Sequence, residues 1–187
     1  MVITGAGPGI MQAGMEGAGR ENSVGVSIRL PFEQSANHVI AGDEKYVSMK
    51  YFFTRKLMLI KESDAYAVLP GGFGTLDEVF ELLTLLQTGK AQPAPVVLVE
   101  TEGGSYWHGW QRFVEDHAID AGYVSAVDRS FYAIANSVEE AMAEIHGFYS
   151  NYHSIRMVGD RTVLRLKQAP SPTELVVLNR EFADILR

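Results

Sequence analysis

Short apolar runs alternate with longer amphipathic patterns along the chain. The runs are rich in β-branched and aromatic residues and are bounded by Gly, Pro, Asn or Asp, which predicts strands. The predicted strands are VIT (2–4), VGVSI (24–28), AYAVL (65–69), PVVLV (95–99) and FYAIA (131–135), and the predicted helices are 9–19, 43–63, 75–90, 106–122 and 138–152. Strands that alternate with helices indicate parallel pairing, and nearly continuous apolar strands are typical of sheets buried on both faces. We therefore predict an α/β fold with a doubly wound parallel sheet.

The end of the chain has a different pattern. IRMVGDRTVLRL (155–166) predicts two strands around a Gly-Asp turn, and 171–186 predicts a helix with Ser171 at its cap and Pro172 in its first turn. We predict two units, an α/β domain over 1–152 and a C-terminal extension over 153–187, a hairpin plus a helix.

The first strand begins almost at the first residue. A doubly wound domain normally has at least one βα unit before its glycine loop, so we expect this fold to lack its first βα unit. The opening MVITGAGPG has neither a basic region nor a long apolar region, so it does not predict a signal peptide.

Composition excludes several classes of function. The chain has 187 residues and no cysteine, which rules out disulfides and thiolate metal sites and suits a cytoplasmic location. Its net charge of −7 argues against nucleic-acid binding, which needs a basic face. No apolar stretch approaches the length of a membrane span. The five histidines are scattered and predict no metal site.

A glycine loop, TGAGPGIM (4–11), lies between the first predicted strand and helix. Gly5, Gly7 and Gly9 allow the backbone to turn tightly and to approach a ligand. The N–H groups at a helix start have no internal partner, so an anion can bind there. The spacing matches G-x-G-x-x-G only in part, and a tight turn packed against the sheet explains this loop equally well.

A second glycine loop, LPGGFGTLDE (69–78), follows the third predicted strand. Gly71, Gly72 and Gly74 leave bare backbone that could hold a phosphate, and Thr75 is placed as a helix N-cap whose hydroxyl could bind a phosphate oxygen. No GK[ST] sequence follows, so a monophosphate fits better than a triphosphate.

Glu78 has two interpretations. Thr75-x-x-Glu78 is a capping-box spacing, in which the carboxylate bonds to its own helix start. Alternatively, Glu78 points into the site and handles a charge or a proton, one turn from a bound phosphate.

Basic and aromatic residues lie in the preceding predicted helix, FFTRKLMLI (52–60). Arg55 and Lys56 cannot both face the core, so either both reach the surface or one points into a pocket, where an arginine suits a phosphate or a carboxylate. For the aromatic residues here and in 106–122, core or subunit packing is a simpler interpretation than stacking on a bound base, although one of residues 51–53 could lie at the edge of such a base; these are Tyr51, Phe52, Phe53, Trp107, Trp110 and Phe113.

The stretch PGGFGTLDE (70–78) fits PGGxGTxxE, and Arg55-Lys56 fits the RK motif that precedes it. Together they resemble the LOG ("lonely guy") family, many of whose members are labelled lysine decarboxylases. TGAGPGIMQAG is similar to that family's first glycine loop, and the resemblance covers about residues 2 to 150. It implies a Rossmann-like fold, at least a homodimer, and hydrolysis of the N-glycosidic bond of a nucleoside 5′-monophosphate such as AMP or a cytokinin riboside monophosphate.

The resemblance also implies roles for individual residues. Arg55 and Glu78 would be the catalytic pair, and no metal or cofactor is implied. The residues expected to bind the nucleotide are Gly5, Gly7, Gly9, Lys56, Gly71, Gly72, Gly74 and Thr75.

Two other functions are compatible with glycine loops. A nucleotide-binding protein without turnover would not need Glu78 and Arg55 together. An NAD(P) oxidoreductase needs an acidic residue after the second strand to hold a ribose, whereas VGVSIRLP offers Arg29.

Overall fold

The computed structural model describes residues 1–29 and 36–185. The strands are β1 (Val2–Thr4), β2 (Ser23–Ile28), β3 (Tyr46–Met49), β4 (Tyr66–Val68), β5 (Val96–Val99), β6 (Ala133–Ala135), β7 (Tyr152–Val158) and β8 (Arg161–Leu166). The α-helices are α1 (Ile10–Ala18), α2 (Phe52–Lys61), α3 (Phe73–Gln87), α4 (Tyr106–Val114), α5 (Val138–Asn151) and α6 (Pro172–Glu181).

Parallel sheets flanked by helices form the body of the molecule, as predicted. Six strands divide into two three-stranded parallel sheets, β1-β2-β3 and β4-β5-β6. In the described part of the chain, β1 and β4 each pair on one side only, so each is an edge strand of its sheet. The first sheet carries the first glycine loop after β1, and the second carries the other glycine loop after β4.

The strand β3 corrects one prediction. Residues 43–63 were expected to form one helix, but Tyr46–Met49 is a strand that pairs with β2, and α2 begins only at Phe52. The Tyr46 hydroxyl lies 2.8 Å from that of Ser27, and Val47 pairs in register with Val26. Aromatic and β-branched residues favour strands, and pairing with β2 decides the conformation here.

The main core lies between the second sheet and its helices. Trp107 and Trp110 are buried there, as predicted, with ring centroids 5.9 Å apart. Phe113 is 57% exposed, so core packing within this chain is excluded for it and subunit packing stays a prediction. Residues 51–53 are likewise exposed, so core packing within the chain is excluded for them, while subunit packing and contact with a base stay predictions.

The predicted hairpin and last helix are both present. Strands β7 and β8 pair antiparallel around Gly159, whose φ of 63° suits glycine. Ser171 caps α6 and forms a capping box with Glu174. The division into domains at residues 152/153 stays a prediction. Across residues 1–29 and 36–185, no helix is both long and apolar enough to span a bilayer.

Candidate active site

The first glycine loop packs directly against the guanidinium of Arg55. A Cβ built on Gly5 would lie 2.7 Å from Nη2 of Arg55 and 2.9 Å from the sulfur of Met11, so a larger residue would have to displace one or both of these side-chain ends. Arg55 comes from α2, which packs on β2, and its Nε donates to the carbonyl of Val26 at 3.2 Å. The guanidinium is therefore held between a strand of the first sheet and the loop after β1.

Asn37 shapes the same loop, and sequence reasoning missed it. The side chain is buried, its Nδ2 donates to the carbonyl of Gly7 at 3.1 Å, and its backbone N–H donates to the carbonyl of Ala6 at 2.9 Å. Ala6 has a φ of 60°, which is uncommon for a residue with a side chain. No motif in the sequence links Asn37 to a loop thirty residues away.

Glu78 meets the same guanidinium from the second sheet. Its Oε1 lies 3.4 Å from Nη2 of Arg55. The Glu78 side chain is 36% exposed and that of Arg55 15%, so the pair is half-buried but open to solvent on the carboxylate side. The structure thus brings together Arg55, Glu78 and Gly5, three of the residues predicted for the site.

The capping interpretation of Glu78 is wrong. Helix α3 begins at Phe73 with Gly72 as its N-cap, and no side chain bonds to the cap. Thr75 is therefore inside the first turn and not at the cap position, and Glu78 lies a further turn along, facing Arg55 and not the helix start.

Burial raises the pKa of the Glu78 carboxyl above its usual value. The positive charge of Arg55 opposes this effect, and the nearby carboxylate of Asp77 adds to it. A carboxyl with a raised pKa is a stronger base, which suits proton transfer near neutral pH. A raised pKa beside a charged partner is also typical of functional carboxyls.

The second glycine loop exposes backbone at the start of α3. A Cβ built on Gly71 would lie 2.2 Å from the Thr75 hydroxyl, so this hydroxyl covers Gly71. Around Gly72 and Gly74 the described chain has no atom within 4 Å of such a Cβ. The first N–H groups of a helix have no acceptor within the helix, so α3 offers them, and the positive end of its dipole, to an anion.

Lys56 is paired with two acids of α3. Its Nζ lies 2.5 Å from Oε2 of Glu81 and 3.0 Å from Oδ2 of Asp77. These hydrogen bonds, to Glu81 first, raise the pKa of Lys56. The contacts fix α2 against α3, next to the Arg55–Glu78 pair. The substrate-binding role predicted for Lys56 stays a prediction, as do those for the six glycines and Thr75.

Comparison with known proteins identifies the family. A family model described as "Possible lysine decarboxylase" matches residues 9–145, which is most of the chain. The cytokinin riboside 5′-monophosphate phosphoribohydrolase LOG1 of Arabidopsis thaliana is 33% identical over 101 residues, 54% of this chain and 46% of that protein. The chain belongs to the LOG family.

Other LOG relatives match longer stretches at lower identity. The Arabidopsis thaliana protein named "Probable cytokinin riboside 5′-monophosphate phosphoribohydrolase LOG6" is 29% identical over 140 residues, 75% of this chain and 66% of that protein. A rice relative with the corresponding name LOGL2 is 25% identical over 147 residues, 79% of this chain and 57% of that protein. The chain spans about half the length of several curated relatives that it matches. The resemblance drawn from the two motifs is confirmed at the level of the family.

His108 and His117 lie in α4 and in the helical segment that follows it, not in either glycine loop. Nε2 of His108 lies 3.0 Å from Oδ1 of Asn136, and His117 is exposed on a helical surface, as predicted. Within the described ranges no group of three or more histidines or acids is close enough to hold a metal ion.

Proposed function

We propose that this chain hydrolyses the N-glycosidic bond of a nucleoside 5′-monophosphate, such as AMP or a cytokinin riboside monophosphate, to a free base and ribose 5-phosphate. The observation that carries the proposal is the half-buried Arg55–Glu78 pair, which sits between two glycine loops from two different sheets. The names of the LOG relatives support the same reaction class.

The phosphate would bind at the start of α3. Gly72 and Gly74 leave the backbone free of side chains there, and the helix dipole favours an anion. With the phosphate at this end, the carboxylate of Glu78 would face the ribose. The phosphate-binding loop and the carboxylate that would act on C1′ then follow one another along α3.

The proposed reaction needs a carboxylate and a cation at one place. As the C1′–N bond breaks, its electron pair leaves with the base and positive charge grows on the ribose. The Glu78 carboxylate would stabilise that charge and accept a proton from the attacking water, whose oxygen bonds to C1′. The proton lost by the water ends on the departing base. Arg55 would orient the carboxylate and bind an oxygen or nitrogen of the nucleotide.

The test is incubation with AMP and isopentenyl-AMP, followed by chromatography for free base. Glu78→Gln keeps the shape of the side chain but removes its negative charge. It should abolish base release while leaving AMP affinity, measured by calorimetry, within about threefold of the wild type, because the phosphate site is untouched. Equal loss of binding and turnover would contradict the role given to Glu78. Tight AMP binding by the wild-type chain without release of base would favour the alternative, a non-catalytic nucleotide-binding protein.

We also propose that the chain forms a homodimer. Phe53 and Leu57 lie one turn apart on α2 and are 67% and 56% exposed, and Phe80 on the adjoining α3 is 44% exposed. Exposed apolar patches of this kind mark subunit interfaces. Light scattering should give twice the chain mass, and Leu57→Glu should reduce it to that of a monomer; a monomeric wild type would refute the proposal.

A further inference from the structure

Tyr106 connects α4 to the second glycine loop. Its hydroxyl donates to the carbonyl oxygen of Gly71 at 2.7 Å, across thirty-five residues of sequence. Its ring packs edge-on against Trp107, with centroids 4.8 Å apart, so the core holds the ring in place. The hydrogen bond therefore connects the second glycine loop to a side chain that the core holds in place.

This bond fixes the direction in which the loop presents its N–H groups. In a trans peptide the carbonyl and the following N–H point to opposite sides of the chain. A Gly71 carbonyl turned toward Tyr106 therefore turns the N–H of Gly72 away from it, at the point where α3 begins. Without the phenol, a Gly-Gly peptide has many other orientations of similar energy.

Glu100 holds the helix that carries Tyr106. This buried carboxylate follows β5, and its Oε1 accepts from the backbone N–H groups of Trp107, at 2.5 Å, and His108, at 3.3 Å. These are N–H groups of the first turn of α4, where a negative charge also stabilises the helix dipole. The backbone N–H of Glu100 donates to Ala135 in β6 at 2.8 Å, so the carboxylate starts from a fixed strand.

The loop between β5 and α4 folds tightly over this carboxylate. A Cβ on Gly104 would lie 2.7 Å from Oε2 of Glu100 and 2.9 Å from the carbonyl of Thr101, so a larger residue would displace one of them. Oε2 itself has no hydrogen-bond partner among the described residues. The carboxylate is thus enclosed beneath the loop, and its role is to set the position of α4.

We propose that Tyr106 is a positioning residue for the second glycine loop and that Glu100 fixes Tyr106 in turn. The pair sets the orientation of the Gly71–Gly72 peptide and thereby the affinity of the loop for the 5′-phosphate. The inference rests on the proposed function for the identity of the ligand, but the position of the loop is measurable without any ligand. Neither residue touches the reacting atoms.

The test compares Tyr106→Phe with Tyr66→Phe. The second variant is a matched control, because the Tyr66 hydroxyl also donates to a backbone carbonyl in the same core cluster, but to that of Ile60 near the end of α2, at 2.6 Å, and not to one in the glycine loop. Both variants should lose similar thermal stability. Only Tyr106→Phe should raise the Kd for AMP, by about three- to tenfold, as expected for one lost hydrogen bond, and it should leave kcat nearly unchanged.

Hydrogen exchange provides the readout that needs no substrate. Tyr106→Phe should increase exchange of the amides over residues 71–76, and Tyr66→Phe should not. Glu100→Gln keeps an oxygen acceptor for the α4 amides, so its exchange over residues 71–76 should stay closer to the wild type than that of Glu100→Ala, which removes the acceptor and should reproduce the effect of Tyr106→Phe. Equal AMP affinity and equal exchange in Tyr106→Phe and the control would overturn the inference. Absence of base release by the wild type would refute only the proposed reaction.

Discussion

Gly74→Ala separates the two requirements that the start of α3 must meet, a stable helix and a free backbone. Gly74 lies in the first turn of α3, and the described chain leaves a Cβ there with no neighbour within 4 Å. Alanine should therefore fit the free protein without strain. Because glycine is a poor helix former, the substitution should stabilise the fold by about 0.5–1 kcal/mol.

The same methyl group should harm binding if phosphate lies against this backbone. A phosphate oxygen that accepts from a backbone N–H sits about 2.9 Å from the nitrogen, so the other oxygens of the same phosphate would lie close to the adjoining Cα atoms, where the methyl would crowd them. Loss of one hydrogen bond to a charged group costs about 1.5–3 kcal/mol, which corresponds to roughly a ten- to hundredfold rise in the Kd for AMP. The structure thus predicts opposite signs for stability and for affinity.

Two measurements check this prediction. Thermal unfolding should show a rise in Tm of about 1–4 °C for a chain of this size, and calorimetry should show the weaker binding of AMP. Gly147→Ala is the control, because Gly147 also lies in a helix, α5, with open space around it but away from both loops. It should raise Tm in the same way and leave affinity unchanged. A Gly74→Ala variant that is more stable and binds AMP as tightly as the wild type would refute phosphate binding at this loop.

Three further predictions follow from the geometry of the pair. Gly5→Ala would place a Cβ 2.7 Å from Nη2 of Arg55, where ordinary contact begins at 3.4 Å, so the guanidinium must move by about 0.7 Å and kcat/KM should fall roughly ten- to hundredfold. The control is Gly17→Ala in α1, where a Cβ meets open space and activity should not change. Equal activities of the two variants would contradict the contact between Gly5 and Arg55. The rate of base release should decrease as pH falls through the raised pKa of Glu78. Asp77→Asn removes a carboxylate that raises that pKa, so the acidic side of the pH–rate profile should move to lower pH. An acidic side that stays in place or moves to higher pH would exclude Glu78 as the titrating base. Because the pKa of Glu78 is raised on folding, its ionised form lowers the stability of the fold at neutral pH. In differential scanning calorimetry, Glu78→Gln should therefore unfold at an equal or higher temperature than the wild type at pH 7 and lose that advantage below about pH 4. A lower Tm of the variant at pH 7 would mean that the ion pair with Arg55 outweighs burial.

The sequence predicts much of this site because its decisive residues sit at positions defined by local rules. Glycines that follow an apolar strand identify a loop at the carboxyl end of a sheet, and both loops are found there. The charges of Arg55 and Lys56 in an apolar helix predict that both reach the surface or that one points into a pocket, and the structure places the guanidinium of Arg55, 15% exposed, beside Glu78. In each case a residue type that is unfavourable in its local setting gave the signal.

Other parts could not be predicted, because contacts distant in sequence decide them. The capping-box spacing at Thr75 and Glu78 is real, but the helix starts two residues earlier and the carboxylate finds Arg55 instead. The strand β3 exists because β2 offers it a pairing edge, although the same residues fit a helical pattern. Tyr106 and Asn37 bond to the loops across thirty or more residues, and no spacing rule connects such positions.

The division into two sheets means that the Arg55–Glu78 pair joins two separately paired parts of the chain. Arg55 belongs to a helix that packs on the first sheet, and Glu78 to the helix that follows the first strand of the second. Arg55 and Glu78 therefore come from separately paired halves of the chain, and neither half alone contains the pair. If the proposed reaction depends on this pair, a denaturant that loosens the junction between the halves should stop base release while both sheets are still folded, so loss of activity in urea should precede the loss of circular dichroism.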